Sequence, residues 1–217
     1  MESKYNFKEL MKERHSCRRF QSKKIPEEVL KNIITISLDS PSWCNSQPWN
    51  IYIATGNTLE EIRKEWKAKK QAKVKGYADI SHGHRTDFSE RSQATMQVFF
   101  KAWDKLPNKD EPEESAEDLW NSPALVYLTL NKGHIEFSTL DLGGLEMAIM
   151  LAAKDHGVDS IPAYFNIMYP DILRKYLKIS DKEDIVIGIA LGYEEPCQMN
   201  DHRSKKLTFD EACHFFN

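Results

Sequence analysis

The sequence lacks most of the features that would place it quickly. Four cysteines, Cys17, Cys44, Cys197 and Cys213, are scattered through 217 residues with no Cys-x-x-Cys pair. That spacing excludes a zinc knuckle or redox dithiol and reads as reduced thiols in a cytoplasmic compartment. The longest apolar stretches, such as Ala148–Ala153 and Ile185–Leu191, fall far short of the roughly 18 residues of a membrane span. Met1–Arg14 is charged throughout and lacks the apolar segment of a secretory signal. Neither sign of charge dominates: 30 Lys+Arg against 33 Asp+Glu leave a net charge of −3, so no nucleic-acid partner is expected. Gly143-Gly144 belongs to no GxGxxG or P-loop pattern, which removes the Rossmann and P-loop phosphate sites. No internal repeat is visible.

What remains is an ordinary globular composition, 41% hydrophobic and 29% charged, at a length suited to one domain over residues 1–217. Asn6 caps a first helix through Arg14. Pro26 with Glu27 and Glu28 starts a second, whose apolar stripe is Val29, Ile33 and Ile36. Ile51–Ala54 reads as a short strand, and Thr58 begins a helix with Leu59, Ile62 and Trp66 at helical spacing. Lys67–Lys75 and Lys105–Glu117 read as exposed, and Ser89–Leu106 between them as an aromatic-rich helix of the core or an interface. Pro123–Leu130 and Ile185–Gly192 read as buried strands. Leu140–His156, apolar on nearly every face, is predicted to be a helix within the fold or at a subunit contact, followed by a turn over Gly157–Pro162. Without strict βα alternation, this order predicts an α+β sandwich.

Three segments carry possible chemistry. In Arg14-His15-Ser16-Cys17-Arg18-Arg19-Phe20, alternation places Arg14, Ser16 and Arg18 on one side of an extended segment, where two guanidinium forks and a hydroxyl could meet one anion. A solvated basic turn is the other reading. Ser40–Trp49 is a proline-stiffened loop displaying hydroxyls and carboxamides, suited either to a ligand wall or to a plain connection. His202-Arg203-Ser204-Lys205-Lys206, taken alone, is a solvated charge cluster. His82-Gly83-His84 lacks a third ligand at a characteristic spacing, so no metal site is expected. Cys44 has no nucleophile signature around it.

The two N-terminal patterns together resemble the FMN-dependent nitroreductase family, whose members read R-x-S-x-R-x-F, then a helix, then P-S-x-x-N-x-Q-P-W. Here these are Arg14, Ser16, Arg18 and Phe20, then Pro41, Ser42, Asn45, Gln47, Pro48 and Trp49. The likeness extends to the long apolar helix, the strand ending Leu191-Gly192-Tyr193 and the basic tail, leaving about residues 56–120 unmatched as the variable, pocket-shaping region. The resemblance implies a three-layer sandwich with a central, mainly antiparallel sheet flanked by helices. It also implies a homodimer with FMN at the interface, held by residues of both chains.

By the same resemblance, Arg14, Ser16, Arg203 and Lys205 or Lys206 grip the phosphate, with His15 in the same cofactor-binding loop. Arg18 reaches the flavin pyrimidine, and Pro41, Ser42, Asn45 and Gln47 line the ribityl chain and ring. Pro162, Ala163, Tyr164 and Phe165 bring a backbone N–H toward flavin N5. No catalytic side chain is required, because the flavin carries the chemistry. NADH or NADPH is the implied donor and a nitroaromatic or quinone the implied acceptor, in ping-pong order. Relatives often carry Glu-Gly where this chain has Tyr164-Phe165. That departure leaves one alternative, a flavin-binding or sensing module whose ring face those side chains block.

Overall fold

The computed structural model describes residues 6–108 and 111–216. Helix α1 (Phe7–Glu13) starts at a reciprocal cap, in which Asn6 Oδ1 accepts the Glu9 N–H at 3.0 Å and Glu9 Oε2 accepts the Asn6 N–H at 3.2 Å. Helix α2 (Glu27–Ser37) follows, with Pro26 just before its first turn. Strand β1 (Trp49–Thr55) leads into α3 (Gly56–Gln71), then α4 (Glu90–Trp103) and α5 (Glu111–Glu117). Strand β2 (Ala124–Asn131) precedes the long α6 (Glu136–Asp155), and β3 (Asp159–Ala163), α7 (Pro170–Leu177) and β4 (Glu183–Gly192) follow. Short helices α8 (Gln198–Asp201) and α9 (Phe209–Ala212) lie in the tail.

The strands form one sheet in the order β1-β2-β4-β3, with every neighbouring pair antiparallel. Strand β2 is buried at every position but its last, so it must be covered on both faces. Period-two alternation divides its side chains. Leu125 and Tyr127 join Leu59, Ile62 and Trp66 of α3 and Ile172 and Leu173 of α7. Val126, Leu128 and Leu130 join Leu30 and Ile33 of α2 and Leu142, Leu145 and Ile149 of α6. The outcome is an α+β three-layer sandwich, as the sequence implied.

Four readings are corrected. The segment after α6 is not a turn through Pro162, because Asp159–Ala163 pairs with β4 as the outer strand, and Pro162 sits opposite Ile189. An edge strand tolerates a residue without an N–H. On α2 the buried positions are Leu30, Ile33 and Ser37, and Ile36 is 52% exposed; the stripe is rotated toward α6 because Ser37 gives its hydroxyl to the Ile33 carbonyl at 2.7 Å and can be buried. The aromatic helix α4 buries no residue in this chain, which removes the core half of its reading and leaves the interface half standing. The acidic segment is only partly exposed, because it contains α5, which is half-buried at Glu111, Pro112, Ser115 and Glu117 and buries Ala116.

The close crossing of β4 over the turn Tyr164–Ile167 depends on Gly188. A Cβ there would lie 2.6 Å from Asn166 Cβ and 3.0 Å from Tyr127 Cε1. Gly188→Ala is expected to destabilise the fold by about 1–3 kcal/mol, measured as a fall in the urea midpoint with unchanged slope.

Candidate functional site

The N-terminal motif is held against the sheet edge and the tail by backbone pairing and one buried side chain. Ser16 bridges Ser160 of β3 in parallel, and the Cys17 N–H donates to the Ser160 carbonyl at 3.0 Å. Phe20, fully buried, packs beneath Gly192 at the end of β4. Asn200 of α8, 1% exposed, completes the attachment. Its Oδ1 accepts the Arg18 N–H at 2.6 Å, its Nδ2 donates to the Arg19 and Glu195 carbonyls at 2.9 Å each, and its own carbonyl accepts Arg203 Nη1 at 2.6 Å. Sequence reasoning missed Asn200, since a lone Asn in a polar tail carries no local signal for partners 182 residues away.

This attachment brings Arg18, His202 and Arg203 together. The Arg18 guanidinium lies over the Trp103 ring at 4.6 Å and the Phe99 ring at 5.8 Å, and Nη1 donates to the Ser16 carbonyl at 3.0 Å. The His202 ring meets Phe99 at 5.6 Å and Trp103 at 5.1 Å. Arg19, Arg63 and Arg174 each have carboxylate partners, whereas among the described residues no carboxylate pairs with Arg14, Arg18 or Arg203. Burial lowers the pKa of Arg18 to about 10 and shifts Arg14 in the same direction. Burial first, then the charges of Arg18 and Arg203, lowers that of His202. Buried cations without counter-ions are unfavourable unless an anion joins them, so this corner of the fold is short of negative charge.

A cavity of about 520 Å³ opens beside the cluster, between α4 and the tail. Arg203, Lys205 and Lys206 line it together with Arg91, Phe99 and His202. The tail cations predicted from the sequence therefore converge with one another and with Arg18. Among the described residues no hydrogen bond or ion pair connects them to Arg14 or to the Ser16 hydroxyl.

The loop containing Pro41, Ser42, Asn45 and Gln47 is ordered by its own polar groups. Ser42 Oγ accepts the Gln47 N–H at 2.9 Å, and Gln47 Nε2 donates to Asn45 Oδ1 at 3.1 Å. Cys44, Asn45 and Gln47 hold φ of 47°, 59° and 42°, a left-handed stretch that Asn accepts more readily than most residues. The Trp43 N–H is tied to Asp141 of α6 at 3.0 Å. Pro41, Asn45 and Gln47 are exposed, and among the described residues no hydrogen bond or ion pair joins this loop to the cationic cluster.

His15 points its side chain away from the motif. Nδ1 donates to the Glu13 carbonyl at 2.9 Å, and Nε2 faces Glu194 Oε1 at 3.3 Å. The ligand atoms of His15, Asp159 and Glu194 lie within 4.8 Å of one another, but the Lys154 ammonium already pairs with Asp159 at 2.7 Å. His82 is stacked edge-on against Tyr164 at 4.1 Å. Pro162 is half-buried, and Ala163, Tyr164 and Phe165 pack against the α3–α7 core, with Lys70 over the Phe165 ring at 5.3 Å. The neighbouring Asn166 accepts Trp120 Nε1–H and donates to the Gly188 carbonyl, each at 2.9 Å. These contacts commit the two bulky rings to the body of the protein.

The fold and these motifs define a class. The nitroreductase family profile matches residues 11–193, and the chain belongs to that family of oxidoreductases. It is 23% identical over 216 residues to a 4-nitrobenzoate reductase of Pseudomonas putida, covering 97% of this chain and 95% of that protein. It is 24% identical to nitroreductase NfnB of Mycolicibacterium smegmatis, covering 95% and 91%. Among solved structures, the FMN-dependent nitroreductase NfnB from Mycobacterium smegmatis in complex with NADPH superposes with a TM-score of 0.87 at 19% identity, over 97% of each chain. NfnB from Sphigopyxis sp. strain HMH gives 0.85 at 17% identity, over 98% and 100%.

Asn200→Ala is expected to cost about 2–3 kcal/mol by stranding buried partners and to expose the tail to limited proteolysis before the rest of the chain. Because the His202 pKa is lowered in the folded chain, the unfolded or undocked state binds more protons as pH falls. Tail docking is therefore expected to weaken below the ordinary histidine range of about 6.5, read as faster amide exchange in the tail, and His202→Asn to flatten that dependence.

Proposed function

We propose that the chain is a single-domain, cytoplasmic FMN-dependent oxidoreductase that takes electrons from NADH or NADPH and reduces nitroaromatic or quinone-like acceptors in ping-pong order. The observation that carries this reading is the pair of half-buried arginines, Arg14 and Arg18, together with the exposed Arg203, for none of which a carboxylate partner is present among the described residues. A phosphate monoester brings about −1.5 to −2 charges and three acceptor oxygens, matching that deficit. Family membership and the FMN-dependent solved relatives support the choice of mononucleotide.

In this reading Arg14, Ser16, Arg203 and Lys205 or Lys206 hold the phosphate. His15 acts through the main chain, since its ring is engaged with Glu13 and Glu194. Arg18 places positive charge at the flavin pyrimidine, which stabilises the reduced ring. Pro162–Phe165 supply backbone groups beside the ring, with the Tyr164 and Phe165 side chains drawn into the core. That seating favours a working enzyme over a blocked binding module. When bound, the flavin would supply hydride chemistry to both substrates in one slot, so the protein needs only to position, polarise and exclude water.

A homodimer is part of the proposal. Ile135, Phe137 and Leu140 of the α6 start are 62%, 49% and 68% exposed, and Trp43 of the polar loop stacks on Phe137 at 5.2 Å. A second copy covering this apolar face would remove it from water. It would also carry Pro41, Ser42, Asn45 and Gln47 to the partner's cationic cluster, which they do not reach within one chain. No helix among the described residues is long and apolar enough to cross a membrane.

The test is purification with FMN followed by anaerobic stopped-flow reduction with each nicotinamide and reoxidation by 4-nitrobenzoate. A colourless chain that does not take up FMN would overturn the proposal. Arg18→Ala is expected to retain FMN while lowering its two-electron midpoint potential by about 30 mV, equivalent to about 1.4 kcal/mol.

A further inference from the structure

Helix α4 lies in the stretch that the family resemblance leaves unmatched, and it carries Phe99 and Trp103 one turn apart on a single face. The two rings meet edge to face at 5.5 Å. They form a corner that takes the Arg18 guanidinium, 4.6 Å from the Trp103 centroid and 5.8 Å from that of Phe99. Both distances fall within the roughly 6 Å reach of a cation–π contact, for which the indole face is the strongest partner. His202 closes the corner from the tail, tilted at 48° on Trp103. Burial and the neighbouring charges of Arg18 and Arg203 lower its pKa, so it adds a neutral ring rather than a third cation.

The rest of Arg18 is fixed through its main chain. Its N–H donates to Asn200 Oδ1 and its carbonyl accepts the Ser115 hydroxyl, bonds that hold the backbone without deciding where the side chain ends. Among the described residues the guanidinium has one hydrogen bond, from Nη1 to the Ser16 carbonyl at 3.0 Å, and no ion pair. One such bond leaves a long side chain free to pivot and most of the fork's donors unspent. The ring corner removes that freedom. It does so through the flat face of the guanidinium, which leaves the N–H edge open to a ligand.

We propose that Trp103 is a positioning residue for Arg18: by stacking on the guanidinium it fixes where the positive charge stands beside the flavin, and so raises the flavin's midpoint potential. The inference rests on the oxidoreductase reading, in which Arg18 stands at the flavin pyrimidine, and adds to it a residue outside both N-terminal motifs. A charge that wanders among rotamers acts over a longer mean distance and is screened by the water it admits, whereas a charge held in place acts at full strength. The oxidised ring is uncharged and the reduced ring carries the negative charge. The stack therefore favours the reduced form and has little effect on uptake of the oxidised one.

The test is the two-electron midpoint potential of the FMN-loaded chain, with the Kd of oxidised FMN measured beside it, for Trp103→Leu, Trp103→Phe and Phe100→Leu. Trp103→Leu keeps apolar bulk and removes the ring. It is expected to lower the ratio of reduced to oxidised FMN affinity about threefold, equivalent to about 14 mV for a two-electron couple, while oxidised FMN binds within about twofold of the natural chain. Trp103→Phe keeps a π face and should recover most of the loss. Phe100→Leu removes the other stack on α4, that of Arg85 at 3.8 Å, and should leave the potential unchanged. Because Trp103 acts through Arg18, Trp103→Leu should add no further shift in an Arg18→Ala background. A natural potential in Trp103→Leu, a Phe variant as low as the Leu variant, or an undiminished shift in the double variant would overturn the assignment. So would equal shifts from Trp103→Leu and Phe100→Leu, which would report only the docking of α4. A chain that takes up no FMN would overturn the oxidoreductase reading together with this one, whereas FMN uptake with any of those four results would overturn this one alone.

Discussion

The site rests on a buried carboxamide holding two distant parts of one chain together beside positive charge that no carboxylate among the described residues pairs with. Asn200 accepts the Arg18 N–H and donates to the carbonyls of Arg19 and, on the segment after β4, Glu195. In doing so it fixes Arg18 near Arg203 and His202. Like charges brought together under partial burial raise the free energy of the folded state. The sandwich beneath supplies the rigidity that keeps them there, because β2 and β4 are packed on both faces and cannot shift to relieve the repulsion. Binding of an anion is the direct way to offset that penalty.

The layers have separate duties. On one side α3 and α7 pack under Tyr127, and the half-buried rings of Tyr164 and Phe165 lean against that core. On the other side α2 and α6 pack under Val126 and Leu128. The beginning of α6 continues past the sheet as an exposed apolar face carrying the loop of Ser42, Asn45 and Gln47. Helix α4 belongs to neither layer. With no buried residue of its own, it is held by ring and cation contacts to Arg18 of the N-terminal turn and His202 of the tail.

Much of this was legible in the sequence. The buried strand read over Pro123–Leu130, the helix with Leu59, Ile62 and Trp66 at helical spacing, and the cap at Asn6 follow from local periodicity and hydrogen-bonding chemistry, which act within a few residues. The pairing of R-x-S-x-R-x-F with P-S-x-x-N-x-Q-P-W identified the family from residue types alone. Pro162 shows where local rules misled: proline usually marks a turn, and only the edge position of β3 makes it acceptable as a strand residue. Ile36 shows the same limit on α2, since which side of an amphipathic helix is buried depends on the partner it meets.

The sequence by itself determined which groups could bind an anion, which segments alternate or repeat at helical spacing, and that the chemistry would be borrowed from a cofactor. Only the tertiary structure decided that Arg18, His202 and Arg203 share one corner, that His15 turns toward Glu194, that Tyr164 and Phe165 lean against the core, and that Arg91 shares a cavity with the tail cations. The reason is physical. Propensity and pattern are properties of neighbouring residues, whereas the field at a site is the sum over groups that contact order scatters along the whole chain, and a contact such as Arg18 with Asn200 exists only after the sheet has closed the 182-residue loop between them.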